Sequence, residues 1–98
     1  MALVDLPAVG CDLPVPSLPA GRDWTPPEKE RWEELWRSPQ ATQWDETAGG
    51  TVAVLITYEL AILENKASAW QAQEYRYAAE SLGLTPRALT SLGWRIVE

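Results

Sequence analysis

The side chains in this sequence that could do chemistry in number are carboxylates and guanidiniums, joined by one thiol; histidine is missing altogether. Without His the commonest general base is gone. Cys11 stands in a proline-rich stretch with no base beside it, which argues against a nucleophile. One Cys and no His leave no zinc-type ligand set. Glu30, Glu33 and Glu34 crowd one helical stretch, where solvation is the ordinary role, and neither a GxGxxG turn nor a Walker lysine loop occurs. These features point away from an enzyme and imply neither cofactor nor metal. Binding chemistry remains. Arg76, Arg87 and Arg95 fall in the last third of the chain. The reading puts Arg76 on the third helix and the other two on a fourth. Packed as a hairpin, these helices would gather three guanidiniums into a small patch able to hold phosphates. The competing reading is ordinary solvated or salt-bridged surface.

Charge constrains that patch. The 98 residues carry 14 acidic and 8 basic side chains, a formal net charge of −6. Nucleic-acid binders draw most of their affinity from neutralising phosphates, and this chain as a whole would be repelled. A DNA contact therefore needs a local Arg cluster, or a ring that concentrates a few Arg on one surface. A chain this short buries only about 60–65% of its unfolded surface. A lone Cys cannot form an internal disulfide, so self-association is the remaining way to bury more.

Six Trp and no Phe are the other anomaly. Trp32, Leu35 and Trp36 step by three and four, one apolar stripe of a helix. Ser38-Pro39 stops that helix and turns Trp44 back toward the stripe. The indoles read as a clasp between the first and central helices, within one subunit or across two. Trp is also enriched at interface hot spots, which favours self-association, with Trp94 a further member of the core or interface.

The elements that must position these groups follow from local signals. Residues 1–23 hold four Pro and two Gly without helical periodicity, and read as an extended arm. Apolar residues between the prolines would let it lie along a groove of its own chain or of a neighbour. Residues 24–98 read as a helical oligomerisation domain. Thr25 caps the first helix, with Pro26 and Pro27 in its first turn and Glu28 closing a capping box. A central helix is expected over about 48–64, with Ala48, Val52, Leu55, Tyr58 and Ile62 as its stripe. Val52–Leu63 is too short to cross a membrane and carries Glu59. Ser68 and Gln71 form a second capping box, Gly83 ends the third helix, and Thr85-Pro86 starts a fourth with Leu89, Leu92 and Ile96 along it. The expected fold is all-α, a bundle of about four helices with a Pro-rich extended arm. The first residues lack the basic and apolar regions of a signal peptide, so an intracellular protein away from membranes is expected.

Taken in order, Trp32, Trp36, Ser38-Pro39-Gln40-Ala41, Leu82-Gly83-Leu84-Thr85-Pro86 and Trp94 form a pattern. It resembles the small terminase subunits of tailed bacteriophages that infect actinobacteria, over about Leu18 to Ile96. Two departures stand out. Relatives often carry an aromatic where this chain reads Ala48-Gly49-Gly50, and a basic residue where it has Gly93. The resemblance implies a non-enzymatic part of the genome-packaging machine in the host cytoplasm. Such subunits form a homo-oligomeric ring, recognise viral double-stranded DNA, and recruit or stimulate the large terminase subunit, which holds the ATPase and nuclease. A helical adaptor binding only protein partners is the rival reading, favoured by the acidity. A small transcription-type regulator is a third, without a helix-turn-helix pattern to support it.

Overall fold

The computed structural model describes residues 3–98, so the first two residues of the expected arm lie outside the described residues. Four helices carry the fold: α1 (Pro26–Trp36), α2 (Gly49–Leu63), α3 (Ala69–Ser81) and α4 (Pro86–Leu92). Their starts are set by short-range chemistry. Thr25 Oγ1 accepts from the Glu28 amide while Glu28 Oε1 accepts from the Thr25 amide at 2.9 Å. Ser68 and Gln71 repeat this box at α3, and Thr85 Oγ1 takes the Ala88 amide at 3.0 Å above Pro86. Each box satisfies amides that a helix start leaves without partners.

The helix ends are equally local. After α3, Gly83 adopts φ +75°, its amide donates to Glu80 and the Leu84 amide reaches back to Ala79 at 2.9 Å. After α2, Asn65 does the same at φ +60°, with amides of Asn65 and Lys66 returning to Ile62 and Ala61. Both are Schellman closures, made with Gly in one case and Asn in the other. Pro39–Gln43 and Glu46–Ala48 are short 3₁₀ turns linking α1 to α2, the second capped by Asp45.

A strand pair corrects the all-α expectation. β1 (Val4–Pro7) runs parallel to β2 (Trp94–Val97), with Val4 opposite Trp94 and Leu6 opposite Ile96. The fourth helix therefore stops at Leu92, and Arg95 and Ile96 lie on a strand rather than on the helical stripe assigned to them. The cause is Gly93, which turns at φ +71° and breaks the helix. Beyond it, Trp94, Ile96 and Val97 have the bulky and β-branched side chains that suit a strand. Pro7 ends β1, where a missing N–H is tolerated on an edge.

The core joins α1, the first 3₁₀ turn, α2 and α3. Trp32, Leu35 and Trp36 meet Ala41, Val52, Leu55, Ile56, Ala78, Ala79 and Leu82. Val52, Leu55 and Ile56 are almost wholly excluded from solvent, each worth about 1.5–3 kcal/mol of burial. Parts of the segment 3–23 pack on this chain's own fold: Leu6 is completely buried in the strand pair, and Cys11, Val15 and Leu18 pack against the core, while Val9 and Leu13 stay exposed. Glu46–Leu63, longer than the stretch weighed from sequence, reaches bilayer-spanning length and apolarity. Its Val52, Leu55 and Ile56 are nonetheless core residues, and its Glu59 is ion-paired, as in the central helix of a folded domain.

Candidate functional site

The tryptophans do two jobs, one with the ring and one with the N–H. Trp32 and Trp36 pack at 5.6 Å between centroids, and Trp44 meets Trp36 edge-on at 5.2 Å and 88°. The indole N–H groups go to carbonyls that no helix or strand supplies with a donor. Trp32 Nε1 donates to Pro16 O at 2.7 Å and Trp24 Nε1 to Pro19 O at 3.0 Å. Trp44 Nε1 donates to Leu82 O at 3.0 Å, beside Gln40 Nε2, which donates to Gly83 O at 3.1 Å. The Pro-rich segment and the end of α3 both have carbonyls needing donors. Indole provides one from inside an apolar ring, which is why it is used here. Trp44 thus clasps the end of α3 as well as α1, and Trp36 Nε1 is left buried without a partner.

Two ion-pair networks tie the helices together. Arg22 makes a two-pronged bond to Glu28, at 2.6 and 3.2 Å, and also donates to Thr57 Oγ1 on α2 at 2.9 Å. Its guanidinium lies 3.5 Å from the centre of the Trp24 ring. The Arg22 hydrogen bond outweighs burial and, with the Thr25 bonds, holds the Glu28 carboxyl down to about 2. On the other side of α1, Arg31 reaches Glu59 on α2 at 2.7 Å and Glu34 at 3.1 Å, and Tyr75 on α3 donates to Glu59. Bonding to Glu59 raises the Arg31 pKa further, while burial pushes the Tyr75 phenol up. Neither Arg22 nor Arg31 had a sequence signal pairing it across the fold; only Glu28 was marked, as a capping residue.

The three arginines read as a phosphate patch sit on three different elements. Arg76 is on α3, with its guanidinium 5.3 Å from the centre of the Tyr77 ring. Arg87 is on α4 and lines a hollow with Glu80, Ala88, Ser91 and Leu92. Arg95 is on β2 and donates twice to Asp5 on β1, at 2.9 and 3.0 Å. Among the described residues Arg76 and Arg87 make no ion pair, whereas Arg95 does. Tyr58 on α2 stacks edge-on with Trp70 at 6.1 Å, and Trp94 is half-buried against Gly83. Among the described residues no three potential metal ligands come together.

Fold and surface define a small helical domain closed by a strand pair, whose polar groups build contacts between elements. Residues 4–93 match the model of the family described as phage terminase small subunit, and the chain belongs to that family. It is the family that the tryptophan and Leu-Gly-Leu-Thr-Pro pattern resembles. Neither a curated protein nor a solved structure matches the chain.

Proposed function

We propose that this protein is the DNA-recognising, non-catalytic subunit of a phage genome-packaging machine, acting inside an infected actinobacterial host. The family match across residues 4–93 carries this reading. In it, copies of the chain assemble into a ring, hold viral double-stranded DNA, and recruit or stimulate the large terminase subunit. The helical domain, 24–98, supplies the assembly, with residues 3–23 laid against it. Arg76 and Arg87 offer unpaired guanidiniums to phosphate, and Arg95 joins them by exchanging Asp5 for DNA. Repetition around a ring turns a few guanidiniums per subunit into a continuous positive surface, which a single copy of charge −6 lacks.

The test is DNA binding measured against salt. The reading expects affinity to fall steeply as salt rises, and Arg76→Ala with Arg87→Ala to flatten that slope by about one unit per lost phosphate contact. Absence of salt-sensitive binding by the assembled protein would remove the DNA role. One observation favours a second reading, an adaptor that binds only protein: Arg95 is already neutralised by Asp5 in a chain of net negative charge. In that case the large subunit is bound and DNA is not.

A further inference from the structure

Residues 13–19 are held as a ligand is held. Six of these seven residues are proline or stand directly before one. Proline fixes its own φ, and it pushes the residue before it out of the helical region. The segment is therefore confined to extended and polyproline II conformations. Residues 14–19 show no turn, bend or helix, and the inward residues Val15 and Leu18 fall three apart, the period of polyproline II. Among the described residues, 12–24 take part in no backbone–backbone hydrogen bond. The bonds that residues 12–20 receive come from two indoles, Trp32 to Pro16 O and Trp24 to Pro19 O. Those carbonyls are again three residues apart. Aromatic-lined grooves are the general receptors of PxxP segments, and Pro16-Ser17-Leu18-Pro19 is one.

The receptor half does not depend on the segment. Trp32 belongs to α1 and to the core. Trp24 is fixed by Arg22, whose guanidinium lies over the ring while bonded to Glu28 and Thr57. Both N–H groups are thus placed by the helices, ready for carbonyls of any chain in this conformation. The hollow between the segment and α1 is lined by Lys29, Glu30, Trp32 and Glu33. Glu30 and Glu33 make no ion pair among the described residues. Residues 12–20 carry no cation to meet them, so the present occupant leaves that part of the hollow unused.

We propose that Trp24, Trp32, Glu30 and Glu33 form a binding site for a proline-rich segment of another protein, one with Arg or Lys inside its PxxP turn. Residues 13–19 hold the site closed until that segment displaces them. Being tethered, the chain's own segment competes at high effective concentration. An outside segment therefore binds with its intrinsic affinity reduced by the fraction of chains whose own segment is lifted. Charge offsets this, because a cation between the two prolines meets two free carboxylates where Ser17 meets neither. The inference goes beyond the packaging reading and stands without it.

The test uses the full chain and two synthetic peptides, Asp-Leu-Pro-Val-Pro-Ser-Leu-Pro-Ala from residues 12–20 and the same peptide with Ser17→Arg. The readout is the indole N–H resonances of Trp24 and Trp32 during titration. The chain is compared as wild type and as Pro16→Gly, which loosens the segment but keeps its carbonyls. Pro16 is exposed, so the wild-type circular dichroism should persist. Ser17→Gly, at another exposed position, is the milder variant if Pro16→Gly does not fold. Both peptides should move the two resonances, and loosening should tighten both roughly tenfold by opening more of the sites. The arginine peptide should bind roughly threefold more tightly than the other, and Glu30→Gln with Glu33→Gln should remove that advantage. A loosened chain that binds neither peptide would overturn the proposal. So would binding that leaves both resonances still, or that is equally tight in wild type and loosened chain. Equal affinity for the two peptides would overturn the basic partner. Resonances that move with protein concentration alone would give the site to the segment of a second copy and overturn the outside partner.

Discussion

Trp36 and Trp32 lie one turn apart on α1, and only Trp32 has a use for its N–H: it donates to Pro16, whereas Trp36 Nε1 is buried with no acceptor. The two rings pack against each other in the same core. The pair is an internal control for what an indole contributes as a ring and as a donor.

Truncating Trp36 to Ala should cost about 3–5 kcal/mol, the usual loss for a large buried aromatic. The phenylalanine variants separate the two indole functions. Trp36→Phe removes an unpartnered donor, and Trp32→Phe strands the Pro16 carbonyl, so the second should be the more destabilising. Urea melts of the two variants check the order. Equal losses would mean that the Pro16 bond contributes nothing net.

Gly10 tests the seat of the N-terminal segment. It holds φ +93°, and a Cβ would collide with the Arg37 carbonyl, the same carbonyl that accepts from the Cys11 amide. Gly10→Ala should cost more than about 1 kcal/mol, since both conformation and space forbid it. Denaturant midpoints of variant and wild type measure it.

Glu28 makes stability depend on acid. Its folded pKa is about 2 against an ordinary 4.5, so it binds its proton less readily when folded. The stabilisation is complete above about pH 4.5 and drains away as pH falls toward 2. Full conversion of that shift would be about 3 kcal/mol, and the 41% exposure of Arg22 brings the expectation to about 1–3 kcal/mol. Glu28→Gln should flatten the stability profile between pH 4.5 and 2 while leaving its shape above pH 5 unchanged. Thermal melts across that range check it.

Leu6 is the anchor of the strand pair, with no exposed surface. Leu6→Ala should cost about 2–5 kcal/mol. The loss should show first in β2: amides of Trp94–Val97 should exchange faster while those in the middle of α2 stay protected. Uniform acceleration across both would show that the strand pair and the helical core unfold as one unit.

The parts of this fold legible in the sequence are those with short-range causes. Thr25 and Glu28, Ser68 and Gln71, and Thr85 and Pro86 each sit within three residues of the helix start they define, and Gly83 marks its helix end alone. The strand pair was not legible, because β1 and β2 are four residues each and their Asp5–Arg95 bond joins residues 90 apart. With the partner strand invisible, Ile96 completes a helical spacing from Leu89 and Leu92, and Gly93 looks incidental. The ion pairs behaved likewise. Arg31 shows no sign in sequence that its partner is Glu59, since only the packing of α1 on α2 brings them together. For the candidate site, sequence located the guanidiniums but could not see that Arg95 would be neutralised across a sheet.

The parallel pairing of β1 with β2 also sets an order of events during synthesis. Residues 4–7 are made before all four helices, and the strand they need is made after them. Until Trp94–Val97 emerge, Leu6 has no seat and the whole intervening chain is an open loop, a slow closure by the standard of local contacts. The helices can form within that loop, because their caps are local. The strand pair is then the latch of this fold, thrown only after all four helices have been made.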